Sequence, residues 1–182
     1  MAIIGINGYS GSGKDTIGYI IQYLVANALN PKDPIALPIE KIAADPLKYQ
    51  ETLEEDSGWE IMKFAGKLKD IAGHLTGIDP EDFEDQEFKK TNLGREWWTT
   101  CDEGWQPMTV RDFLQKLGTD ALRNGLHSDV WVNALMCDYK PYDDDSMPNW
   151  IITDTRFVNE AMAIKHKGGI VIRIDRPGIK PM

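Results

Sequence analysis

Apolar positions along this chain switch between short β-branched runs and stripes at helical spacing, and glycines and prolines mark the changes. Ala2 to Ile6 is an apolar run long enough for one buried strand. From Thr16 onward Ile17, Ile20, Ile21 and Leu24 recur at helical spacing, which predicts a first helix ending near Asn27 or Leu29, ahead of Pro31. Prolines at 31, 34, 38 and 46 make the next stretch a loop, with one short helix around Ile39 to Ala44. Trp59 to Phe64 reads as a second strand, although Ile61 to Phe64 also fits an early helix start. A helical stripe of Leu68, Ile71, Ala72 and Leu75 follows, and Gly77 stops it. From Asp79 to Met108 no period is legible. That stretch is acidic and aromatic, with Trp97, Trp98 and Trp105.

Periodicity returns at Thr109, a helix N-cap ahead of Phe113, Leu114, Leu117 and Leu122, with Gly125 at the end. Asp129 suits the cap of the next helix, Val130 to Tyr139. After the acidic loop at Asp143 to Asp145, Trp150 to Thr153 is an apolar run ending in Asp154, Thr155 and Arg156. Phe157 to Lys167 reads as helix, Gly168 and Gly169 as its stop, and Ile170 to Ile174 as a last strand. Strands alternating with helices predict an α/β fold around a parallel sheet with right-handed crossovers. No linker, repeat or low-complexity tract divides the 182 residues, which suit a single domain spanning 1–182. Within it, residues 79–108 fit a lid-like or acceptor-side insertion, because long irregular segments in compact domains are usually functional or mobile. Its tryptophans suit stacking on a base, and more readily burial against the body.

The net charge of -9 excludes a broad basic face, and with it general duplex nucleic-acid binding. No stretch is long and apolar enough for a membrane span, and the chain opens on a core strand where a signal peptide would show a different pattern. The two cysteines, Cys101 and Cys137, lack metal-ligand spacing and read as free thiols of a reducing, cytoplasmic compartment. The three histidines are scattered; His74 and His166 fall in helical patterns and read as ordinary residues. Asp70 to Gly73 spells the D-x-x-G of GTPase switches, but it lies inside an amphipathic stripe and no N-K-x-D accompanies it.

One stretch carries sharper chemistry. Gly8, Gly13 and Lys14 fit G-x-x-x-x-G-K, with the small residues Ser10, Gly11 and Ser12 between them, after a strand and before a helix. Glycines let backbone N–H groups converge on an oxyanion, and a helix N-terminus adds partial positive charge. Lys14 opposes that helix dipole and is poorly placed unless an anion sits there. A plain glycine turn is the bland alternative. In an open parallel sheet ligands sit at the carboxyl ends of the strands. The loops there would bring together the phosphate loop, Lys67, Lys69, Asp154, Arg156 and Arg176. Asp154 suits either a magnesium-ordering carboxylate or a helix N-cap, whereas Arg156 calls for a phosphate or carboxylate partner. Arg111 and Arg123 lie off the core stripe and fit either solvated helix residues or further cations. So many cations on an acidic chain fit two phosphorylated ligands better than one, which points to phosphoryl transfer.

The segments GYSGSGKDT, KFAGKLKDIAGHLTG, TVRDFLQKLGTDALR with Trp131 after it, WIITDTRFVNEA and GGIVIRIDRPG together resemble the phage deoxynucleoside monophosphate kinases. The resemblance spans most of the chain, leaving Asn30 to Ser57 and much of the Trp-rich insertion uncovered. It implies a P-loop, three-layer fold of nucleoside monophosphate kinase type. It also implies transfer of the γ-phosphate of ATP to a deoxynucleoside monophosphate, with Mg²⁺. By this resemblance Gly11, Ser12, Gly13, Lys14, Asp15 and Thr16 hold the ATP phosphates, and Asp15, Thr16 and Asp154 lie at the metal directly or through water. Lys67, Arg111, Arg123, Trp131, Asp154 and Arg156 surround the acceptor, and Arg176 lies near the donor base. Lys14, Arg123, Asp154 and Arg156 form the catalytic set. Asp15 departs from the general phosphate loop and agrees with this branch. Two alternatives stay open: a kinase of another small phosphorylated acceptor, such as dephospho-coenzyme A or phosphomevalonate, and a non-catalytic nucleotide switch. Exposed apolar surface allows a homodimer, and nothing in the sequence selects it.

Overall fold

A computed structural model describes residues 2–32, 34–35, 38–101, 104–141 and 147–178. In chain order the elements are β1 (Ala2–Gly8), α1 (Lys14–Leu29), α2 (Ile39–Ala44), α3 (Gln50–Ser57) and β2 (Trp59–Met62). Then come α4 (Gly66–Thr76), β3 (Thr99–Cys101), β4 (Gly104–Gln106), α5 (Val110–Gln115) and α6 (Val130–Met136). The chain closes with β5 (Asn149–Thr155), α7 (Val158–His166) and β6 (Ile170–Ile174). The acidic loop expected at Asp143 to Asp145 lies outside the described residues. The described chain divides into two compact units, one of residues 1–64 and 135–182, the other of residues 65–134.

The first unit is built on a four-stranded sheet of order β2-β5-β1-β6, parallel throughout. Parallel strands buried on both faces read as continuous apolar runs, and Ile3, Ile6, Trp150, Ile151 and Ile152 are all almost fully buried. Between Gly5 and Asn7 the pairing of β1 with β5 slips: Gly5 faces Ile152, but Asn7 faces Thr155. Two steps on β1 therefore match three on β5, a β-bulge that reverses which face the following side chains use. Before it, Ile151 and Thr153 face α1, where a Cβ on Gly18 would lie 2.8 Å from Thr153 Cγ2 and 3.5 Å from Ile151 Cγ2. After it, Thr155 faces the other side, 3.2 Å from where Gly5 would carry a Cβ, together with Ile164 of α7.

The stripe expected for α1 is turned. Its buried face is Gly18, Tyr19, Gln22 and Ala26, while Leu24 is 57 % exposed. Gly18 lets the helix lie close to β5, and Tyr19 closes a cluster with Ile42 of α2 and Leu53 of α3. Gln22, fully buried, donates to the Trp59 carbonyl at 2.6 Å and ties the helix to the start of β2. β2 is shorter than the expected Trp59 to Phe64, ending at Met62, and α6 stops at Met136, three residues before Tyr139. Cys137 is exposed, and its thiol donates to Asp138 Oδ1 at 3.6 Å.

The second unit has a different architecture. Ala72, Phe83, Leu93, Val110 and Phe113 form its core, with Trp97, Phe88, Met108 and Leu117 packed around it. The aperiodic stretch makes three short 3₁₀ turns (Asp82–Glu84, Phe88–Lys90, Arg95–Trp97) and the β3–β4 hairpin. Thr109 caps α5 as expected, and Asp112 completes a capping box with it. Beyond Gln115 the helix widens into a π-helical segment, Lys116–Asn124. Gly73, in the D-x-x-G tetrapeptide, packs where a Cβ would meet the Ile78 carbonyl at 2.9 Å. That glycine serves close packing.

Candidate active site

The phosphate loop follows β1 directly. Gly13 sits at φ 90° as the N-cap of α1, a left-handed conformation that glycine adopts without strain. Gly8 is tight for another reason: a Cβ there would lie 2.6 Å from Ser12 Oγ and 2.9 Å from the Ile174 carbonyl. The loop closes on itself through the Ser12 N–H, which donates to the Tyr9 carbonyl at 3.1 Å. Lys14 is 8 % exposed, and its ammonium donates to the carbonyls of Gly8 and Tyr9, each at 3.0 Å. Burial and then the Arg156 guanidinium hold its pKa below the ordinary 10.5, while the carboxylates of Asp15 and Asp154 pull it back up. Ser12 Oγ is buried with no hydrogen-bond partner among the described residues.

Around this loop stand groups from every strand of the sheet. Asp15, in the first turn of α1, accepts from Thr153 Oγ1 at 2.5 Å and pairs with Lys63, 3.5 Å away. Lys63 follows β2, so its ammonium belongs to the same carboxyl edge; the sequence reading passed over it in favour of Lys67. Asp154 sits at the bulge of β5, and its Oδ1 accepts the Phe64 N–H at 2.8 Å, joining the ends of β2 and β5. The cap role open to Asp154 is filled by another residue: Glu160 accepts the N–H groups of Arg156 and Phe157 at the start of α7. Arg176, after β6, donates to the Gly11 carbonyl at 3.3 Å, on the rim of the loop. Beside it Arg173 pairs with Asp175 at 3.0 Å and donates to the Tyr9 hydroxyl at 3.3 Å. Gly11, Ser12, Gly13, Lys14, Asp15, Thr16, Asp154, Arg156 and Arg176 are thus gathered at one edge of the first unit.

Lys67, Arg111, Arg123 and Trp131 belong to the second unit. Lys67 lies half-buried in the first turn of α4, and Arg123 half-buried in the π-helical segment. Arg111 is exposed and donates to Gln86 Oε1 at 3.1 Å. Trp131 is 5 % exposed, and its indole N–H donates to the Gly118 carbonyl at 2.9 Å. Its polar atom is committed within the unit, and its ring is buried.

Thr153, Lys63 and Glu160 were missed by sequence reasoning. The local signal for Lys63 was a cation just past an apolar run. For Glu160 it was a carboxylate at the third position of a helix. Thr153 left no signal, since its partner is 138 residues away.

A glycine loop and buried lysine between the first strand and first helix, at the carboxyl edge of a parallel sheet, define a phosphate-loop fold of kinase type. The family model for deoxynucleotide monophosphate kinase matches residues 54–182. A protein of Acanthamoeba polyphaga mimivirus, provisionally named a deoxynucleotide monophosphate kinase, is 33% identical over 98% of this chain and 76% of its own length. The deoxynucleotide monophosphate kinase of Enterobacteria phage T4 is 30% identical over 99% of this chain and 83% of its own. That of Escherichia phage RB69 is 23% identical over 98% and 84%. The chain belongs to the deoxynucleotide monophosphate kinase family.

Proposed function

We propose that this chain transfers the γ-phosphate of ATP to a deoxynucleoside monophosphate, giving the diphosphate and ADP for DNA precursor synthesis. The observation that carries this reading is Lys14: a buried ammonium held at the mouth of a glycine loop, with Arg156 and Asp154 acting on it from the next strand. A cation in that position costs stability unless it has an anion to meet. The unpartnered hydroxyl of Ser12 supports the same reading, as a buried polar atom with no protein partner in its loop.

Phosphoryl transfer requires positioning and charge neutralisation more than covalent chemistry. In this reading the loop N–H groups and Lys14 hold the donor phosphates, and Arg176 lies on the donor side of the rim. Arg156 stabilises the transferring group. Asp154 is the first unit's candidate for binding the acceptor, and Lys67, Arg111, Arg123 and Trp131 are the second unit's own candidates. No side-chain nucleophile is involved.

The donor set also fits Mg²⁺. Asp15, Asp154 and Thr16 offer only oxygen, and among the described residues no three His, Cys, Asp or Glu side chains converge as a protein-built metal cage. Magnesium is commonly held by one or two carboxylates with waters and substrate phosphates, which this set suits. When bound with ATP, the ion would neutralise charge on the phosphate oxygens. Among the described residues no helix is long and apolar enough to cross a membrane. We place the activity in the cytoplasm, that of the host if the chain is phage-encoded.

The test is coupled ADP release with ATP and Mg²⁺ against each deoxynucleoside and ribonucleoside monophosphate in turn. Turnover with one or more deoxynucleotides is expected. Silence across that panel, with ATP still bound, would overturn the reading in favour of another acceptor or a switch.

A further inference from the structure

Glu160 is a buried charge that the transfer chemistry above does not use. It lies in the first turn of α7, 2 % exposed. A single carboxylate oxygen, Oε2, accepts the N–H of Arg156 at 2.7 Å and that of Phe157 at 2.9 Å. These two residues turn the chain from β5 into α7. A carboxylate there meets N–H groups that the helix leaves unpaired, and it complements the positive end of the helix dipole. Burying a carboxylate is costly unless its hydrogen bonds are good, so a charge at this depth implies a backbone that has to be held.

The residue whose backbone it holds is Arg156. The turn begins just past the bulge of β5, where a local slip of pairing already turns Thr155 to the other face. Arg156 is exposed, so packing does little to fix its direction. Only its backbone can set where the guanidinium starts from. We propose that Glu160 is a positioning residue for phosphoryl transfer, fixing the β5–α7 turn so that Arg156 projects toward the phosphate loop. This role rests on the transfer reading above, because it acts through Arg156.

The test is a double-mutant cycle on the full chain, read by kcat, by the KM for ATP and by thermal melting. Glu160→Asp keeps the charge but draws the carboxylate back by one C–C bond, about 1.5 Å. It is expected to lower kcat roughly ten- to a hundredfold, with the KM for ATP changed less than about threefold. Glu160→Gln, whose amide oxygen can accept both N–H groups, should recover most of that loss. In an Arg156→Ala background, Glu160→Asp should leave the remaining kcat within about twofold while lowering the melting temperature as much as in the wild type. A loss of kcat that is the same in both backgrounds would overturn the proposal and leave a structural role only. If Arg156→Ala is as active as wild type, the positioning role falls while the kinase reading stands. A wild-type protein that fails with every deoxynucleotide overturns both.

Discussion

The phosphate loop and the stretch from Asp79 to Met108 are both irregular backbone, yet they are held in opposite ways. In the phosphate loop the polar groups turn inward: Lys14 reaches back to two carbonyls, and Ser12 Oγ is buried without a partner. Around the second stretch the polar groups are satisfied locally. Asp85 accepts the N–H groups of Glu87 and Phe88 at 2.6 and 3.0 Å, which holds its carboxyl below its ordinary pKa. Thr91 Oγ1 donates to the Phe88 carbonyl, and the Trp98 indole to that of Leu93. Its apolar side chains supply the fixing force, with Phe83 fully buried and Trp97 edge-on to Phe113 at 4.8 Å. A loop built to receive a ligand keeps unspent polar capacity and a strained charge. One built to pack spends its polar groups on itself and anchors on aromatics.

The largest effect expected from this contrast comes from Lys14→Ala. It should cut turnover by roughly a thousandfold or more while far-UV circular dichroism and melting stay close to wild type. Near-normal activity in a folded variant would break the comparison on the phosphate-loop side. Phe83→Ala should do the reverse. Removing a fully buried ring costs about 3–5 kcal/mol, and hydrogen exchange should report it in the amides of residues 65–134. Unchanged protection there would mean that burial is not what holds the stretch.

Smaller effects sharpen the comparison. Thr109→Ala removes one side of the α5 capping box and should cost about 1 kcal/mol in denaturant unfolding. Trp105→Ala removes a side chain that is 67 % exposed and should stay within about 0.5 kcal/mol. A larger loss of stability would show that the Trp105 side chain of β4 is packed against something. The subtlest test is pH. With its pKa below 10.5, Lys14 loses its proton before the unfolded chain does, so the stability cost of its charge is relieved as pH rises through that lowered value. Activity that needs the ammonium should therefore fall on the alkaline side below pH 10.5. Arg156→Ala removes a repelling cation and should move that limb upward. A limb that stays in place or moves down would show that another group titrates there.

Much of this molecule was legible before any coordinates. Ala2 to Ile6, the glycine loop and Lys14 announce a strand, a turn and a phosphate-binding helix because the chemistry is contiguous. Gly77 as a stop, Thr109 as a cap, the short helix from Ile39 to Ala44 and the strand from Ile170 to Ile174 were equally local, each set by a few neighbouring residues. The resemblance of five segments to a kinase family added the activity, and the family match bears it out.

What the sequence could not decide lies in pairings across long separations. The order β2-β5-β1-β6 sets Asn7 beside Thr155 and Phe64 beside Asp154, and no local period encodes either. Nor does the sequence announce that β5 slips by one residue, since a bulge is a mismatch between two strands. The buried face of α1 was misjudged for the same reason. Gly18, Gln22 and Ala26 look like poor core residues until β5 and β2 lie against them. By itself the sequence determined the phosphate loop and the alternation of strands and helices, because both are written in adjacent residues. Only the tertiary structure decided how the charges at that loop pair, because Asp15 meets Lys63 and Thr153 only when separate strands end at one edge.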